Sequence, residues 1–225
     1  MTIDPRRRQK RLAQKAAKRK AQVAKKQRME RSHSGSSSQA KMAALHPVYE
    51  CLMHAGIFQS GIGHVLISRR IGALVAVGLF LLDVACLGAK DAIFGLKSVA
   101  EYDALLERIR ETEDLTEIEP ACARKLIEGA VAYARGLGFE PHKDYHGAAQ
   151  ILGAIDADEC PRTFEYGKDG KPLYISGPFD SQARINLICR TLEKSCGPGG
   201  FHYIVRLAGP EPEEDREWGD EEDGL

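Results

Sequence analysis

The most apolar part of the chain reads Val65-Leu-Ile-Ser-Arg-Arg-Ile-Gly-Ala-Leu-Val-Ala-Val-Gly-Leu-Phe-Leu-Leu82. Two apolar runs flank the connection Arg69-Arg-Ile-Gly72, so we expect a hairpin with strands over 65–67 and 73–82. The second run carries no charge, which is typical of a strand buried on both faces. Gly78 inside this run indicates a bulge or a close approach of another part of the chain.

Helix signals follow this hairpin. Ser98-Val-Ala-Glu101 matches a capping box, in which the Ser and Glu side chains satisfy free backbone N–H groups, and it predicts a helix over 99–113. Thr116-Glu-Ile-Glu119 matches a second box and is followed by Pro120, so we expect another helix to run from there to about residue 135. Further helical structure is predicted over 143–153 and in part of Leu45–Phe58.

The last third of the chain contains turn and strand signals. Asp169-Gly170 lies between two β-prone runs within Phe164–Ile175, as a type I′ hairpin turn requires, and Pro172 places the second run at a sheet edge. Beyond it we expect a helix over 181–196 that is capped by Asp180, and a final strand over Phe201–Leu207.

The order of these elements predicts an α+β fold. We expect a small antiparallel or mixed sheet built from two hairpins and a C-terminal strand. About four to five helices pack with this sheet in the prediction, and disordered charged tails flank the domain.

Charge divides the chain into three zones. Thirteen basic and two acidic residues make 1–32 a segment of net charge +11, whereas nine acidic residues and one basic residue make 208–225 a segment of −8. We therefore expect a basic disordered arm and Ser-rich linker over 1–41, an α+β globular domain over 42–207 and an acidic disordered tail over 208–225. The hydrophobic content of 43% suffices for a core and excludes a wholly disordered chain.

The basic arm is the strongest functional signal, because it is rich in cations and has no apolar stripe that would pack on a core. Such segments bind polyanions by releasing counterions, which favours an RNA- or ribonucleoprotein-associated accessory protein. The residues expected to contact phosphate are Arg6, Arg7, Arg8, Lys10, Arg11, Lys15, Lys18, Arg19 and Lys20. In other interpretations, the arm is a solubilising segment or one that folds back on the acidic tail of the same chain, or it binds an anionic membrane or directs targeting.

A metal-dependent hydrolase or nuclease is the alternative function. His142 and His146 are four residues apart, a spacing that suits zinc or iron when both lie on one helix face, and Asp144 lies between them. Asp83 and Asp91 follow the most apolar strand, a place where two-metal nucleases keep ligands. The competing interpretation is that Asp144 caps the following helix. A divalent metal is expected only under this alternative, and the sequence requires no other cofactor.

A non-catalytic protein–protein interaction module is the third interpretation. Proline is confined to sheet edges because it cannot donate a backbone hydrogen bond. This interpretation therefore predicts an exposed apolar patch on the edge strand near Pro172.

Cysteine spacing and hydropathy bear on the compartment. The six cysteines form no CxxC motif, so we expect free thiols, no disulfide framework and a reducing compartment. The uncharged apolar stretch over 71–82 has only 12 residues, too few for a membrane span. These patterns predict a cytoplasmic protein, with organelle targeting through the basic N-terminus as the alternative.

Overall fold

The computed structural model describes residues 36–178 and 180–205. Within these residues the chain is an α+β fold, in which a five-stranded antiparallel sheet carries helices on both faces. The strands are β1 (Val48–His54), β2 (Ile62–Ile71), β3 (Leu74–Asp83), β4 (Gly88–Ser98), β5 (Leu115–Glu117), β6 (Leu173–Ile175) and β7 (His202–Ile204). The helices are α1 (36–43), α2 (Ile57–Ser60), α3 (Val99–Arg110), α4 (Pro120–Gly136), α5 (Tyr145–Ala148) and α6 (Gln182–Cys196), with 3₁₀ turns at Ala149–Leu152 and Ala157–Glu159.

The predicted hairpin is confirmed and is longer than expected. β2 and β3 pair along their whole lengths, so Arg69 and Arg70 are strand residues and not part of the connection. The connection is a tight turn that begins at Gly72, whose φ of 57° is the left-handed conformation that a type II′ turn requires at its first central position. Gly78 marks a close approach, because a Cβ there would lie 2.7 Å from Ile151 Cγ2.

Two strands flank this hairpin, and the strand order is β4-β3-β2-β1-β5. The helical prediction for Leu45–Phe58 is wrong over β1, whose side chains alternate between the two faces of the sheet. β4 was not predicted, because charged residues such as Lys90 and Lys97 interrupt its apolar pattern. Both strands are stabilised by pairing with the hairpin, which local sequence does not reveal.

The helix prediction at the first capping box is confirmed. Ser98 Oγ accepts the Glu101 N–H at 3.3 Å, and Glu101 Oε2 accepts the Ser98 N–H at 2.7 Å. The second predicted box is wrong, because Thr116 pairs with Met53 between β5 and β1, and the helix begins only at Pro120. Proline starts this helix because its fixed φ suits a first turn, where the missing N–H costs nothing.

The segment after α4 is less regular than predicted. The helix expected over 143–153 consists of the single turn of α5 and the 3₁₀ turn that follows it. The turn at Asp169 and Gly170 is present, with φ values of 51° and 76°, but the flanking runs form only an isolated bridge between Lys168 and Lys171. The second predicted hairpin is therefore wrong, although its turn is correct.

The two C-terminal strands form a separate small sheet. β6 pairs in parallel with β7, so the predicted final strand does not join the main sheet. Ser181, and not Asp180, caps α6, since Ser181 Oγ accepts the Arg184 N–H at 3.3 Å. Asp180 Oδ2 instead accepts the Tyr174 hydroxyl at 2.9 Å, which ties the start of α6 to β6.

The two faces of the main sheet pack on different helices. One face packs on α4 and α5, with Phe80 and Leu126 wholly buried, and the other packs on α3 through Tyr102 and Leu106. A third apolar cluster joins α6 to the end of α4 and to the β3–β4 turn. Surfaces on α3 and on α4 therefore lie on opposite sides of the molecule.

The buried hydroxyl of Tyr102 links α3 to its face of the sheet by hydrogen bonds. The Tyr102 hydroxyl donates to Glu50 Oε2 at 2.5 Å and lies 3.2 Å from Ser68 Oγ. Burial raises the pKa of Tyr102 above its ordinary value, and the hydrogen bond to Glu50 raises it further. Tyr102 is therefore a neutral donor across the neutral pH range and has a structural role here.

The expectation of free thiols is wrong for one pair of cysteines. Cys122 of α4 and Cys160 form a disulfide, and both are buried. The 3₁₀ turn at Ala157–Glu159 packs against α4 and brings together two cysteines that are 38 residues apart. The cysteines that remain free are Cys51, Cys86, Cys189 and Cys196.

The ends of the chain were assigned to charged tails. Residues 1–35 of the predicted arm and linker, and the whole predicted tail over 208–225, lie outside the described residues. α1 begins within the predicted linker, before the domain start predicted at 42, and it buries Ala40 and Ala43. None of the helices that the structure describes combines the length and apolar character that a membrane crossing needs.

Candidate functional site

A concave surface lies between α1, α4 and the segment that contains α5 and the following 3₁₀ turn. This cleft has a volume of about 940 Å³. Its walls carry three cationic side chains, Lys41, Arg124 and Arg135, together with the carboxylate of Glu128 and the imidazole of His146. Apolar atoms of Val131, Tyr145 and Leu152 line it as well. The excess of cations over carboxylates in a concave surface attracts anions.

Arg124 is fixed in the wall of this cleft. Its Nε donates to Glu128 Oε1 at 2.9 Å, and its Nη1 donates to the carbonyl oxygens of Gly153 at 3.0 Å and Ile155 at 2.5 Å. The side chain keeps 27% of its surface exposed. Arg124 is therefore a positioned cation that Glu128 neutralises only in part.

Arg135 is held much more loosely. Its Nε lies 3.2 Å from Glu140 Oε2 in an exposed ion pair, and its Nη2 lies 3.4 Å from His146 Nε2. Exposed pairs of this kind contribute at most about 1 kcal/mol. Arg135 can therefore turn towards an anion in the cleft at little cost in stability.

A buried arginine positions two walls of the cleft. Arg69 is only 5% exposed, and its guanidinium donates to the carbonyl oxygens of Ile151 at 2.8 Å, Leu152 at 3.0 Å and His46. Burial lowers the pKa of Arg69 from its ordinary value. These bonds tie the 3₁₀ turn and the loop after α1 to β2. This structural role of Arg69 was not predicted from the sequence. The one signal that could have indicated it is an arginine at the end of an apolar strand.

The first described element, α1, forms one wall of this cleft. Lys41, near the end of α1, is exposed in that wall, whereas Ser36 and Ser37 at the start of α1 line a second groove beside β4. The residues predicted to contact phosphate, between Arg6 and Lys20, lie outside the described residues. The described part of the chain therefore adds a cationic surface to the positive charge of the arm.

The candidate metal ligands are only partly brought together. His142 Nδ1 lies 3.3 Å from Asp91 Oδ1 and 3.6 Å from Asp144 Oδ2, whereas His146 faces Arg135 in the cleft. The two histidines diverge because His142 precedes α5 and does not share its helical face. Asp144 occupies the N-cap position of α5 but makes no capping hydrogen bond with its side chain. Over 36–178 and 180–205, no group of three or more His, Cys, Asp or Glu side chains is arranged to hold a metal ion.

Asp83, the other acidic candidate, stabilises a turn. Its Oδ1 accepts the N–H groups of Ala85 at 3.1 Å and Cys86 at 2.8 Å, and the residue is 6% exposed. Burial raises the pKa of Asp83 above 3.8, and the positive charge of Lys90 opposes this shift. The side chain thus closes the β3–β4 turn in the way that an Asp or Asn commonly does.

Asp83→Asn is expected to stabilise the fold at neutral pH, because the amide oxygen accepts the same two hydrogen bonds without a buried charge. The folded-state pKa is raised, so the contribution of Asp83 is fully present below pH 3.8 and is lost as the pH rises through the folded-state pKa. The stability difference between variant and wild type should therefore grow with pH over this window in urea unfolding. Asp103→Asn on exposed α3 is the control, and an equal pH profile for Asp83→Asn and Asp103→Asn would contradict the burial argument.

Exposed apolar side chains occur near Pro172, as an interaction module would require. Tyr203 is 60% exposed and Ile204 is 52% exposed, and both lie on β7, which pairs with β6 just after Pro172. On β6 itself Tyr174 is wholly buried. The exposed apolar surface therefore belongs to the partner strand and not to the strand that follows the proline.

Comparison of the chain with protein-family models, curated proteins and solved structures finds no significant match. Its function is therefore inferred from its own residues.

Proposed function

We propose that this protein is an RNA- or ribonucleoprotein-associated accessory protein that binds phosphate through its basic arm and the adjoining cleft. The observation that carries the proposal is positive charge in two parts of the chain. The segment 1–32 has a net charge of +11, and after a stretch without Lys or Arg over 32–40, Lys41 on α1 lines the cleft that also holds Arg124 and Arg135.

The two cationic surfaces would contribute differently. The arm contains no aromatic residue, so it cannot stack on bases and supplies affinity that is independent of sequence. The cleft combines fixed and adjustable guanidinium groups, which suit phosphate oxygens, with apolar surface from Val131 and Tyr145. We assign the arm to general attraction and the cleft to orientation of the RNA on the domain. An RNA partner agrees with the cytoplasmic location that the sequence predicts.

Binding to a fluorescent single-stranded RNA is expected to depend steeply on salt. If about six arm cations engage phosphate, log K should fall with log salt at a slope of about −4, because each contact on a single strand contributes about −0.7. Deletion of 1–32 should weaken binding at least about tenfold at low salt and make the slope shallow. Fluorescence anisotropy over a salt series measures both. A flat salt dependence of the full chain, or undiminished binding after the deletion, would refute the role of the arm.

The cleft is tested by a matched pair of variants. Lys41→Gln with Arg135→Gln should make the slope of log K against log salt shallower by about 1.4, since two phosphate contacts are lost. Arg108→Gln with Arg110→Gln removes the same charge from α3, on the opposite face of the sheet, and should change the slope much less. Equal effects of the two double variants would mean that only net charge matters.

Deletion of 208–225 should tighten RNA binding at low salt if the acidic tail competes with RNA for the arm.

A further inference from the structure

The main sheet has two edges of very different length. At one edge β5 has three residues, whereas at the other β4 has 11 residues and pairs only with β3 among the described strands. Long exposed edges present unpaired backbone groups to other chains, and proteins commonly keep them short or covered. The loop before α5 covers one end of this edge, because the His142 N–H donates to the Ala89 carbonyl oxygen at 2.8 Å. The part of β4 from Ala92 to Ser98 is therefore the surface at which an added strand would pair.

The direction of the β4 backbone groups follows from the hairpin. Ile71 and Leu74 close the two-residue turn and so form a hydrogen-bonded pair, and the alternation of the antiparallel ladder then directs the backbone groups of Ala92, Phe94 and Leu96 away from β3. Asp91 Oδ1 accepts the Ala92 N–H at 2.8 Å. No hydrogen bond among the described residues engages the outward groups of Phe94 or Leu96.

Two large apolar side chains of this edge are exposed. Ile93 is 56% exposed and Leu96 is 42% exposed, and because they are three residues apart they lie on opposite faces of the sheet. A groove of about 610 Å³ runs beside the edge, between Ala92–Phe94, the α5 segment and the start of α1 at Ser36 and Ser37. Space, exposed apolar side chains and backbone groups that have no partner among the described residues thus occur along the same stretch of β4.

We propose that β4 pairs antiparallel with β4 of a second copy of this chain, about a two-fold axis at Phe94, to form a continuous ten-stranded sheet. The strand is complementary to itself in this register, since Asp91 lies opposite the partner's Lys97 and Lys97 lies opposite the partner's Asp91. The outward-directed residues form the hydrogen-bonded pairs, with Ala92 opposite the partner's Leu96. In the dimer the Ala92 N–H donates to the partner's Leu96 carbonyl oxygen in place of Asp91 Oδ1, and the Asp91 carboxylate turns from the Ala92 N–H and His142 towards the partner's Lys97. Asp91 and Lys97 fall at non-hydrogen-bonded pairs, where the Cα atoms are only about 4.5 Å apart.

Neighbouring registers lack this complementarity. A shift by one residue would place outward groups opposite residues whose backbone groups point to β3, so it breaks the ladder. A shift by two residues in one direction places Ile93 opposite the partner's Lys97, and in the other direction it places Asp91 opposite the partner's Gly95. Only the register about Phe94 pairs both charges with opposite charges, and cross-strand charge pairs help to set register.

This dimer is a property of the folded domain and does not depend on the proposed RNA binding. It would place two basic arms and two clefts in one particle, which raises the avidity for a polymer that spans both. Dimerisation is measured on nuclease-treated protein, in the absence of RNA. A chain that does not dimerise and a chain that does not bind RNA therefore give different results.

Sedimentation velocity of the full chain over a concentration series at low salt tests the proposal. Wild type should show a concentration-dependent dimer, and Lys97→Asp should weaken it about tenfold because two attractive pairs become two repulsive ones. Asp91→Lys should do the same, and the double variant with both changes should recover the wild-type affinity. Lys97→Asp leaves Asp91 and its neighbour His142 unchanged and is the cleaner single variant.

A mixture provides the sharpest result. Lys97→Asp and Asp91→Lys chains, each mainly monomeric alone, should form a mixed dimer, because every cross-strand pair in it joins opposite charges. Glu107→Lys, an exposed change on α3 away from the edge, should leave the wild-type dimer unaltered. Wild type that stays monomeric at the highest soluble concentration, or a dimer that both single variants leave unchanged, would overturn the proposal.

Discussion

Arg69→Met is expected to lower the free energy of unfolding by about 3 kcal/mol, because each buried polar group that loses its partner costs about 1–3 kcal/mol. The guanidinium of Arg69 is the donor to three carbonyl oxygens, of Ile151, Leu152 and His46. Methionine fills similar space but donates nothing, and the site is too buried for water to replace the bonds freely. Urea unfolding, followed by circular dichroism, measures the loss.

The neighbouring arginine is the matched control. Arg70 is exposed, donates from Nε to Gly72 O at 2.9 Å and lies over the ring of Tyr49 at 5.6 Å. Arg70→Met should therefore cost no more than about 1 kcal/mol. Arg69→Lys should recover part of the loss, since it keeps a donor. Equal stabilities of Arg69→Met and Arg70→Met would show that the three carbonyl groups do not need Arg69 as their donor.

Removal of the Cys122–Cys160 disulfide is expected to lower the free energy of unfolding by about 4 kcal/mol. The cross-link closes a loop of 38 residues, and the loss of chain entropy in the unfolded state gives about this value for a loop of that length. The double variant Cys122→Ser with Cys160→Ser should unfold at lower urea concentration than the oxidised wild type. Reduced wild type should match the variant, because both lack the same cross-link.

A thiol count distinguishes the two descriptions of the cysteines. The structure leaves four free thiols, at Cys51, Cys86, Cys189 and Cys196, whereas the cysteine spacing alone predicted no disulfide. Because Cys51 and Cys86 are buried, the protein is alkylated in denaturant without reductant, and mass spectrometry should then find four labels. Cys189→Ser, which removes an uncrosslinked thiol, should leave the effect of reduction unchanged. Six labels on freshly purified protein that is alkylated in denaturant without reductant, with no change of stability on reduction, would contradict the cross-link.

Several elements were predictable from the sequence because their signals are local. The β2–β3 hairpin follows from one apolar stretch with a glycine at its turn. α3 follows from the Ser98–Glu101 capping box, and α6 follows from an apolar stripe at helical spacing. The charge layout, on which the proposed role of the basic arm rests, likewise follows from the residue types along the sequence. Each of these needs only residues within about one element of one another.

The tertiary structure alone decided the features that carry the site. β1 and β4 are strands because the hairpin offers them partners, and β6 pairs with β7 and not with its neighbour in sequence. The cleft exists because Arg69 reaches Leu152, which is 83 residues further along the chain. Pairings of this kind depend on contacts between distant segments, whose energies no local pattern records. The sequence by itself determined the local elements and the charge layout, whereas packing determined the cleft, the disulfide and a β4 edge whose outer side pairs with no described strand.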